Sequence, residues 1–429
     1  MNPDPNSLVS RIWHVLRAYY AKVLLFRPNA RLYLLNTIIS GLSFGIFNLL
    51  FNFYALSLGY DEILVGQLLT TSSMMALVGA LPAGFLSDRI GRNSSLILSN
   101  ITLLVTVLGM TVWRSSEGLF LMNALHGLGQ SLKWVTTSPF LMENSGEEER
   151  TYLFAMSFGI LTTASFAGNW IGGRMPTWLG GLIGVAATNT EAYGWSIAST
   201  GLVSLLGLIP LVLIKPQYAL KQPGEDTISP FQYTRQNPAL LAKLISPWLI
   251  TSLGAGLLMP FMNIFYRTVH HQSDVGIGSL FGWGALAVGI GSLLAPPLAD
   301  RWGKIRIVVI SQALSIPFLI LLGFTPWFWL SAIAYLIRNL LMNMGAPVYD
   351  TFVMEHIKPE ARATVASLIS MSWNFGWALG PTVSGWLQVR HGFDPVFLGT
   401  ITTYTIAILL YWRFFWHESE PQPSIPSEA

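Results

Sequence analysis

Twelve apolar stretches along the chain constrain the fold more than any other feature of the sequence. Each has about 20 residues, the length at which a helix crosses roughly 30 Å of hydrocarbon. They are apolar on every side rather than alternating, which predicts helices and not barrel strands. We number them spans 1 to 12 and place them at 32–57, 62–86, 94–113, 118–141, 151–173, 193–214, 244–267, 274–298, 305–325, 327–350, 363–388 and 395–416. The sequence therefore predicts an all-α integral membrane protein.

Composition agrees with this fold class and argues against several kinds of soluble protein. Of the 429 residues, 52% are hydrophobic and only 10% are charged, against roughly 25% charged residues in a soluble domain. There is no cysteine and no glycine-rich phosphate loop that ends in Lys-Ser or Lys-Thr. The adjacent His270 and His271 lack the spacing of metal ligands. We expect no enzyme activity, no metal, no cofactor and no nucleic-acid partner, and we expect the lipid bilayer as the surrounding medium.

Lysine and arginine define the topology, because cytoplasmic loops retain these residues. Of the 24 basic residues, four lie in loops on one side of the predicted bundle, two lie inside spans, and the other 18 lie on the opposite side. The four are Arg114, Arg174, Arg267 and Arg390, and the two are Lys133 and Arg338. We expect the side with 18 basic residues to face the cytoplasm, with both termini there, in a cytoplasmic (inner) membrane.

The segments outside the spans complete the predicted domain organisation. Residues 1–30 carry Arg11, Arg17, Lys22 and Arg27 among apolar residues at helical spacing. This pattern indicates a cytoplasmic amphipathic helix on an anionic lipid surface, with a frayed polar tail as the alternative. Residues 31–214 and 244–416 then form two six-helix bundles, joined by a cytoplasmic linker at 215–243 and followed by a cytoplasmic tail at 417–429.

The two bundles repeat one another at a constant offset, which takes residue 88 to residue 300. The segment DRIGR at 88–92 recurs as DRWGK at 300–304, and FLME at 140–143 recurs as FVME at 352–355. The same offset relates Arg150 to Arg362, Gly168 to Gly380 and Gly173 to Gly385. One register across these five landmarks shows that the halves share their length and loop design.

The segment GFLSDRIGR at 84–92 resembles the signature loop between helices 2 and 3 of the major facilitator superfamily. The resemblance covers nearly the whole chain through the twelve spans, the linker and the repeat, and it is to the twelve-helix branch of multidrug and metabolite efflux carriers. It implies two six-helix bundles that rock about a central substrate site. It also implies that spans 1, 4, 7 and 10 line the central cavity.

Charged residues form a repeated cluster on the side predicted to be cytoplasmic. In the resembled family such clusters latch this side while the carrier faces outward. Ordinary topology determinants are the alternative, although acids contribute little to orientation. Carboxylates beside a helix amino end, bridged by arginines, suit a latch. We therefore expect a cytoplasmic gate made of Asp88, Arg92, Glu143, Arg150, Asp300, Lys304, Glu355 and Arg362.

Polar side chains inside the spans predict a substrate cavity, because such residues are costly in lipid and usually face a cavity. In span 4 they follow one helical face, and in span 10 they form a second stripe in which Arg338 occupies the repeat position of His126. Asparagines of spans 1 and 7 either line the cavity or join helices by hydrogen bonds. The expected cavity set is His126, Gln130, Lys133, Arg338, Asn339, Asn343, Asn48, Asn52 and Asn263.

No Asp or Glu lies near the middle of any span, so the charges of Arg338 and Lys133 have no predicted acid partner in the bilayer. An arginine cannot escape by losing its proton. We expect Arg338, and with it Lys133 and His126, to contact an anionic or zwitterionic substrate. The alternative is a structural role in which helix carbonyls or an acid satisfy these groups.

Small residues in spans 5 and 11 bear on the direction of transport. Gly168, Gly172 and Gly173 resemble the span 5 motif of antiporters in the superfamily, but Ala164 replaces a glycine and Asn169 replaces the proline. The better copy, GWALGP at 376–381, lies in span 11. Glycines serve close helix packing equally well, so antiport and plain packing both stay open.

These patterns together predict a secondary active transporter that moves a small molecule by alternating access. We expect a monomeric exporter coupled to protons, since His126 is the mid-span group that titrates near neutrality. Uniport and exchange also remain open for the coupling. The alternatives are an importer of an organic anion, by symport or exchange, and a transporter-like sensor that moves nothing.

Overall fold

The computed structural model describes residues 23–146, 149–215, 235–357 and 362–417. The predicted amphipathic segment at the amino terminus therefore lies outside the described residues up to residue 22, as do positions 216–234 of the predicted linker and 418–429 of the predicted tail. The described ranges are helical with short loops and contain no strand, which confirms the predicted all-α class.

Twelve long helical spans occupy the described ranges, and each coincides with a predicted span. In the first half they are Pro28–Ser57, Glu62–Ile90, Arg92–Val112, Ser116–Glu143, Arg150–Gly172 and Thr190–Leu213. In the second half span 7 runs from Pro238 to Leu258, passes through a 3-10 turn at Met259–Phe261 and ends as Met262–Thr268. The others are Asp274–Trp302, Lys304–Phe324, Phe328–His356, Arg362–His391 and Asp394–Phe415. A short helix that the sequence did not predict, Met175–Ile183, joins spans 5 and 6.

Side-chain caps mark where spans 2, 4, 6 and 8 begin. Asp61, Ser115, Asn189 and Ser273 each accept a hydrogen bond from a backbone N–H in the first turn of spans 2, 4, 6 and 8. Such caps satisfy donors that the helix itself leaves free. Spans 4 and 6 begin at Ser116 and Thr190, before their predicted starts at 118 and 193, because hydropathy alone does not detect the polar first turn.

Tight turns join span 2 to span 3 and span 8 to span 9. Gly91 and Gly303 are the turn residues, with φ of 88° and 93°. A side chain is disfavoured in this left-handed region, which glycine enters freely. The DRIGR and DRWGK segments therefore use their glycine in the same way, and the sequence repeat is a repeat of local geometry.

Helix contacts inside the two halves follow one scheme. Span 1 packs on spans 5 and 6, span 4 packs on spans 2 and 3, and span 3 also packs on span 6. The second half repeats this scheme, with span 7 on spans 11 and 12, span 10 on spans 8 and 9, and span 9 on span 12. Across the halves, span 2 packs on span 11 and span 5 packs on span 8. These two contacts are equivalent under the repeat.

Hydropathy and exposed side chains agree with a protein that crosses a membrane repeatedly. Among the described residues, eight of the twelve spans are long and apolar enough to cross a bilayer by length and composition: spans 1, 2, 3, 6, 7, 8, 9 and 12. Spans 4 and 10, which carry the polar stripes, are among the other four. Large apolar side chains such as Phe85, Val112 and Trp329 are more than three-quarters exposed, as expected for surface that faces lipid.

The two halves pack together at one side of the bundle and lie apart at the other. We name these the Arg267 side and the Asp88 side. On the Arg267 side one core joins both halves, for example through Leu49 and Phe53 with Phe261 and Phe265. On the Asp88 side the first half has its own core and the second half has another. The described structure is therefore open toward the Asp88 side and closed at the Arg267 side.

Candidate functional site

A cavity large enough for a small molecule lies within the first half of the chain. Its volume is about 370 Å³, and spans 1, 3, 4, 5 and 6 enclose it. Span 4 contributes His126, Gln130 and Lys133, because residues three and four apart lie on the same helical face. The remaining wall combines aromatic rings with hydroxyl groups: Tyr33, Phe44, Phe47, Trp134, Phe154, Phe158, Thr37, Ser40, Ser43, Thr137, Ser138, Ser157, Thr200 and Ser204.

Lys133 provides the cavity with a cation that has no protein counter-charge. No Asp or Glu of the described ranges lines this cavity. Within the described residues its ammonium group has no hydrogen-bond acceptor either; the hydrogen bond from Thr137 Oγ1, at 2.9 Å, goes to the backbone carbonyl of Lys133. A cation in a partly dry, aromatic-walled cavity is costly unless an anion or water meets it. The arrangement therefore suits an anionic ligand.

His126 lies deeper in the same cavity and is fixed on three sides. Its Nδ1 is 3.3 Å from Thr106 Oγ1, and its Nε2 is 3.4 Å from Gln130 Nε2. Its ring stacks on Phe47, with 4.9 Å between the ring centres. The side chain is only 8% exposed, so a ligand would meet His126 at the closed end of the cavity.

Arg338 lies in a smaller cavity of about 120 Å³ inside the second half. Its guanidinium donates to Tyr404 Oη at 2.9 Å and to Asn339 Oδ1 at 3.0 Å, and it contacts Met259 Sδ at 3.1 Å. These partners are neutral, as the sequence analysis expected, but they hold most of the guanidinium. Arg338 is therefore better satisfied than the predicted free cation, because a tyrosine of span 12 reaches it. Asn339 and Asn343 line the same cavity.

The repeat extends from the sequence to these contacts. Phe47 stacks on His126 in the first half, and Met259 contacts Arg338 in the second. The offset that takes position 126 to 338 also takes position 47 to 259. The two predicted centres therefore lie at equivalent depths, one in each half.

The three asparagines predicted for the cavity line neither of these cavities. Asn52 Nδ2 donates to Asn263 Oδ1 at 2.9 Å, and Asn263 Nδ2 donates to the Leu49 carbonyl at 2.8 Å. Both side chains are 2% exposed and join span 1 to span 7 across the halves. Asn48 is exposed and lines neither cavity. In this state Asn52 and Asn263 therefore have the alternative role, which is hydrogen bonding between spans.

A charged cluster that the sequence analysis missed closes the Arg267 side. Arg267 and Asp274 form an ion pair, and Tyr193 Oη lies 2.7 Å both from Asp274 Oδ2 and from Arg267 Nη2. The Arg267 guanidinium lies 3.2 Å from the ring centre of Phe53. Tyr193 and Phe53 belong to the first half, so these four residues, the Arg267 latch, bind the halves together. In the sequence Arg267 was only a loop cation, because its partners are distant along the chain.

Two further titratable residues, Arg114 and His270, lie between the spans on the Arg267 side. Arg114 donates to both carboxylate oxygens of Glu191, at 2.5 and 3.2 Å, and this hydrogen bonding raises the pKa of Arg114. This pair lies within the first half. Burial, and then the neighbouring His271, lowers the pKa of His270 below its usual value.

Three of the predicted gate residues in the first half meet at the Asp88 side. Arg92 Nη2 lies 2.7 Å from Asp88 Oδ1, and Arg92 Nε lies 3.2 Å from Glu143 Oε1. This arrangement ties spans 2, 3 and 4 together. Arg150 does not join it here; its Nε donates instead to Ser145 Oγ at 3.4 Å.

Three of the four equivalent gate residues in the second half have side chains that the structure does not describe. The side chains of Asp300, Glu355 and Arg362 are among the residues that the structure does not describe. Lys304 is described and begins span 9 directly after Gly303. Their role as a gate stays a prediction.

The fold and the paired cavities define a membrane carrier of small molecules built from two repeated six-helix halves. The family model of the Major Facilitator Superfamily matches residues 33–272 and 248–429. The chain therefore belongs to the major facilitator superfamily, and it is a multi-pass membrane transporter rather than an enzyme.

The similar proteins differ in the functions that their names give. The chain is 22% identical over 348 residues to multidrug resistance protein MdtG of Escherichia fergusonii, which covers 79% of this chain and 81% of that protein. It is 28% identical over 182 residues to the cis,cis-muconate transport protein of Acinetobacter baylyi, covering 40% of this chain and 43% of that protein. Among solved structures, an inward-facing, unoccupied bacterial homologue of the human lysosomal transporter Spinster matches 91% of this chain and 96% of its own, with a TM-score of 0.71 and 16% identity. A mutant of nucleoside transporter NupG matches 91% of this chain and all of its own, with a TM-score of 0.71 and 15% identity.

Proposed function

We propose that this transporter moves a small organic anion across the membrane by alternating access and that Lys133 holds the anionic group. The observation that carries this proposal is an ammonium group without a protein partner among the described residues, in a cavity of about 370 Å³ that contains no acid. A substrate carboxylate would supply the missing counter-charge. The aromatic rings of the wall would cover the apolar body of the same molecule.

The proposed direction is export, from the cytoplasm outward. The Asp88 side carries the basic loops, so the positive-inside rule assigns it to the cytoplasm of an inner membrane. The described state is then inward-facing, with its cavity open to cytoplasmic substrate. A relative that covers most of the chain is a multidrug resistance protein, and this similarity supports export. We propose that the carrier acts as a monomer.

Proton coupling through His126 is the proposed driving force. His126 and Lys133 share one cavity, so the charge of a bound anion would act on both groups. The second candidate is import of an organic anion, supported by the shorter match to a muconate transport protein. Counterflow in vesicles of known orientation, with and without a pH gradient, separates the two directions and tests the coupling.

Binding of matched anions and cations tests the anion assignment. We expect benzoate to raise the melting temperature of the purified transporter and benzylamine to leave it unchanged, because Lys133 attracts only the anion. Lys133→Gln should weaken benzoate binding about tenfold or more, the effect of one lost charged hydrogen bond. Lys243→Gln is the control, since Lys243 is exposed and lines neither cavity. Equal binding of benzoate by wild type and Lys133→Gln, or a preference for benzylamine, would refute the proposal.

A further inference from the structure

The small cavity of the second half collects polar atoms that have no partner. Eight buried side-chain polar atoms lack a hydrogen-bond partner in the described part of the chain. Three of them, Arg338 Nε, Trp377 Nε1 and Gln312 Oε1, belong to residues that line this one cavity. The other five belong to residues that line neither cavity. Gln312 and Trp377 belong to spans 9 and 11, and neither was predicted from the sequence as a site residue.

This clustering indicates an occupant rather than loose packing. Buried polar groups in native proteins almost always have a partner, and each exception requires an explanation. Gln312 and Arg338 are 3% and 2% exposed, so bulk water does not satisfy them. The cavity volume of about 120 Å³ is well above the roughly 10–15 Å³ that one buried water needs. A larger hydrogen-bonding group therefore fits.

The charge of the cavity defines the chemistry of that group. Arg338 is always charged, and its partners Tyr404, Asn339 and Met259 are neutral. Arg338 Nε and Trp377 Nε1 are both donors, and among the residues with described side chains no Asp or Glu lines the cavity. The amide of Gln312 can present its NH2 group as well as its oxygen, because its last torsion rotates. Two or three donors around one net positive charge are complementary to a carboxylate.

We propose that this cavity is a second anion subsite, in which Arg338, Trp377 and Gln312 bind one carboxylate-sized group. Lys133 offers an anion site in the first half, so the transported class is dianionic, with dicarboxylates foremost. This part of the inference rests on the proposed function. It goes beyond that function because it assigns one anionic end of the substrate to each half.

The open state gives this assignment a mechanical consequence. The halves have separate cores on the Asp88 side, and each presents one cation without an acid partner. A dianion that engages both cations favours approach of the halves and closure of that side. A monoanion neutralises only one of the two and leaves the other unmatched.

Two aromatic acids that differ by one carboxylate test the subsite. We expect calorimetry on the purified transporter to show that terephthalate binds about tenfold or more tightly than benzoate. Trp377→Phe and Gln312→Leu should lower the affinity for terephthalate to about that for benzoate, because the second carboxylate then has no subsite. Trp386→Phe is the control, an exposed tryptophan of the same span. Lys133→Gln removes the first anion site, so the effect of acetate on the melting temperature of this variant measures the second subsite alone.

The outcomes distinguish a carboxylate of the substrate from a free small anion. They also distinguish failure of the second subsite from failure of the proposed function. A Trp377-dependent preference for terephthalate supports the subsite and assigns the group to the substrate. If terephthalate binds no more tightly than benzoate but acetate raises the melting temperature in a Trp377-dependent way, the subsite is supported. The bound carboxylate-sized group is then a free small anion. Benzoate binding that depends on Lys133, with no advantage for terephthalate and no effect of acetate, overturns the subsite alone. Absence of Lys133-dependent binding of either aromatic acid overturns the proposed function, while a Trp377-dependent effect of acetate would still support the subsite.

Discussion

Single residues in this chain have their roles through the partners that the fold supplies. Lys133 and Arg338 look alike in the sequence, as cations in the middle of apolar spans. In the structure Arg338 meets Tyr404 and Asn339, whereas the ammonium of Lys133 meets no acceptor among the described residues. Tyr404 is 66 positions from Arg338, so the sequence could predict the cost of the arginine but not how that cost is met.

Gly91 gives a prediction at this scale, because its backbone requires a glycine for conformation and not for space. Its φ is 88°, and a Cβ atom would meet nothing within 4 Å. Gly91→Ala should therefore lower the stability of the purified protein by roughly 1–3 kcal/mol, because φ 88° with ψ 154° is a backbone region that essentially only glycine adopts. Thermal unfolding in detergent measures the effect.

The matched control for Gly91 is Gly159, which lies inside span 5 and also has free space around its Cβ position. Gly159→Ala should be neutral or slightly stabilising, because alanine is the better helix former. A similar loss for both variants would mean that the turn conformation of Gly91 is not the cause.

At the scale of helices, the structure differs from the sequence-based expectation where elements of the two halves approach. The predicted spans and the repeat contain no information about which loop cation meets which acid. Asn52 and Asn263 illustrate this, since each is a polar residue in lipid until span 1 and span 7 come together. The Arg267 latch likewise depends on spans 1, 6, 7 and 8 meeting at one point.

The Arg267 latch should control the balance between the two access states. Its contacts join the halves in the state that is open toward the Asp88 side, so their loss should destabilise that state relative to the opposite one. Asp274→Asn removes the ion pair and should shift the ratio of the open state to the opposite state about tenfold against the open state, the effect of one charged hydrogen bond. A Ser138→Cys reporter measures this, because Ser138 lines the open cavity and the chain has no other cysteine.

Glu191→Gln is the control for the latch. It breaks the Arg114–Glu191 pair, which lies on the same side but within one half. Maleimide labelling of the Ser138→Cys protein should slow with Asp274→Asn and stay unchanged with Glu191→Gln. Unchanged labelling with Asp274→Asn would show that the Arg267 latch does not control the balance between the two access states.

For the whole molecule, periodicity and charge predicted the fold class, the twelve spans and the division into halves. These features follow from the bilayer, which forces every span to be apolar and helical. The location of the larger cavity inside one half could not be predicted in the same way. It depends on how spans 1, 3, 4, 5 and 6 diverge. The side chains that line the cavity come from these five segments, which are separated along the chain.

Orientation is the prediction that belongs to the whole molecule, because it is decided by charges on many loops. Arg114, Arg174, Arg267 and Arg390 are the basic residues of one side, while 18 of the 24 belong to the other. Retention of basic loops should therefore place the Asp88 side in the cytoplasm. Reporters fused at Lys221 and at the carboxyl terminus should show cytoplasmic activity, and reporters at Arg174 or Arg390 should show external activity. Expression levels measured for each fusion provide the control. A cytoplasmic signal at Arg390, or an external one at Lys221, would invert the proposed inward-facing assignment and with it the direction from which substrate enters the larger cavity.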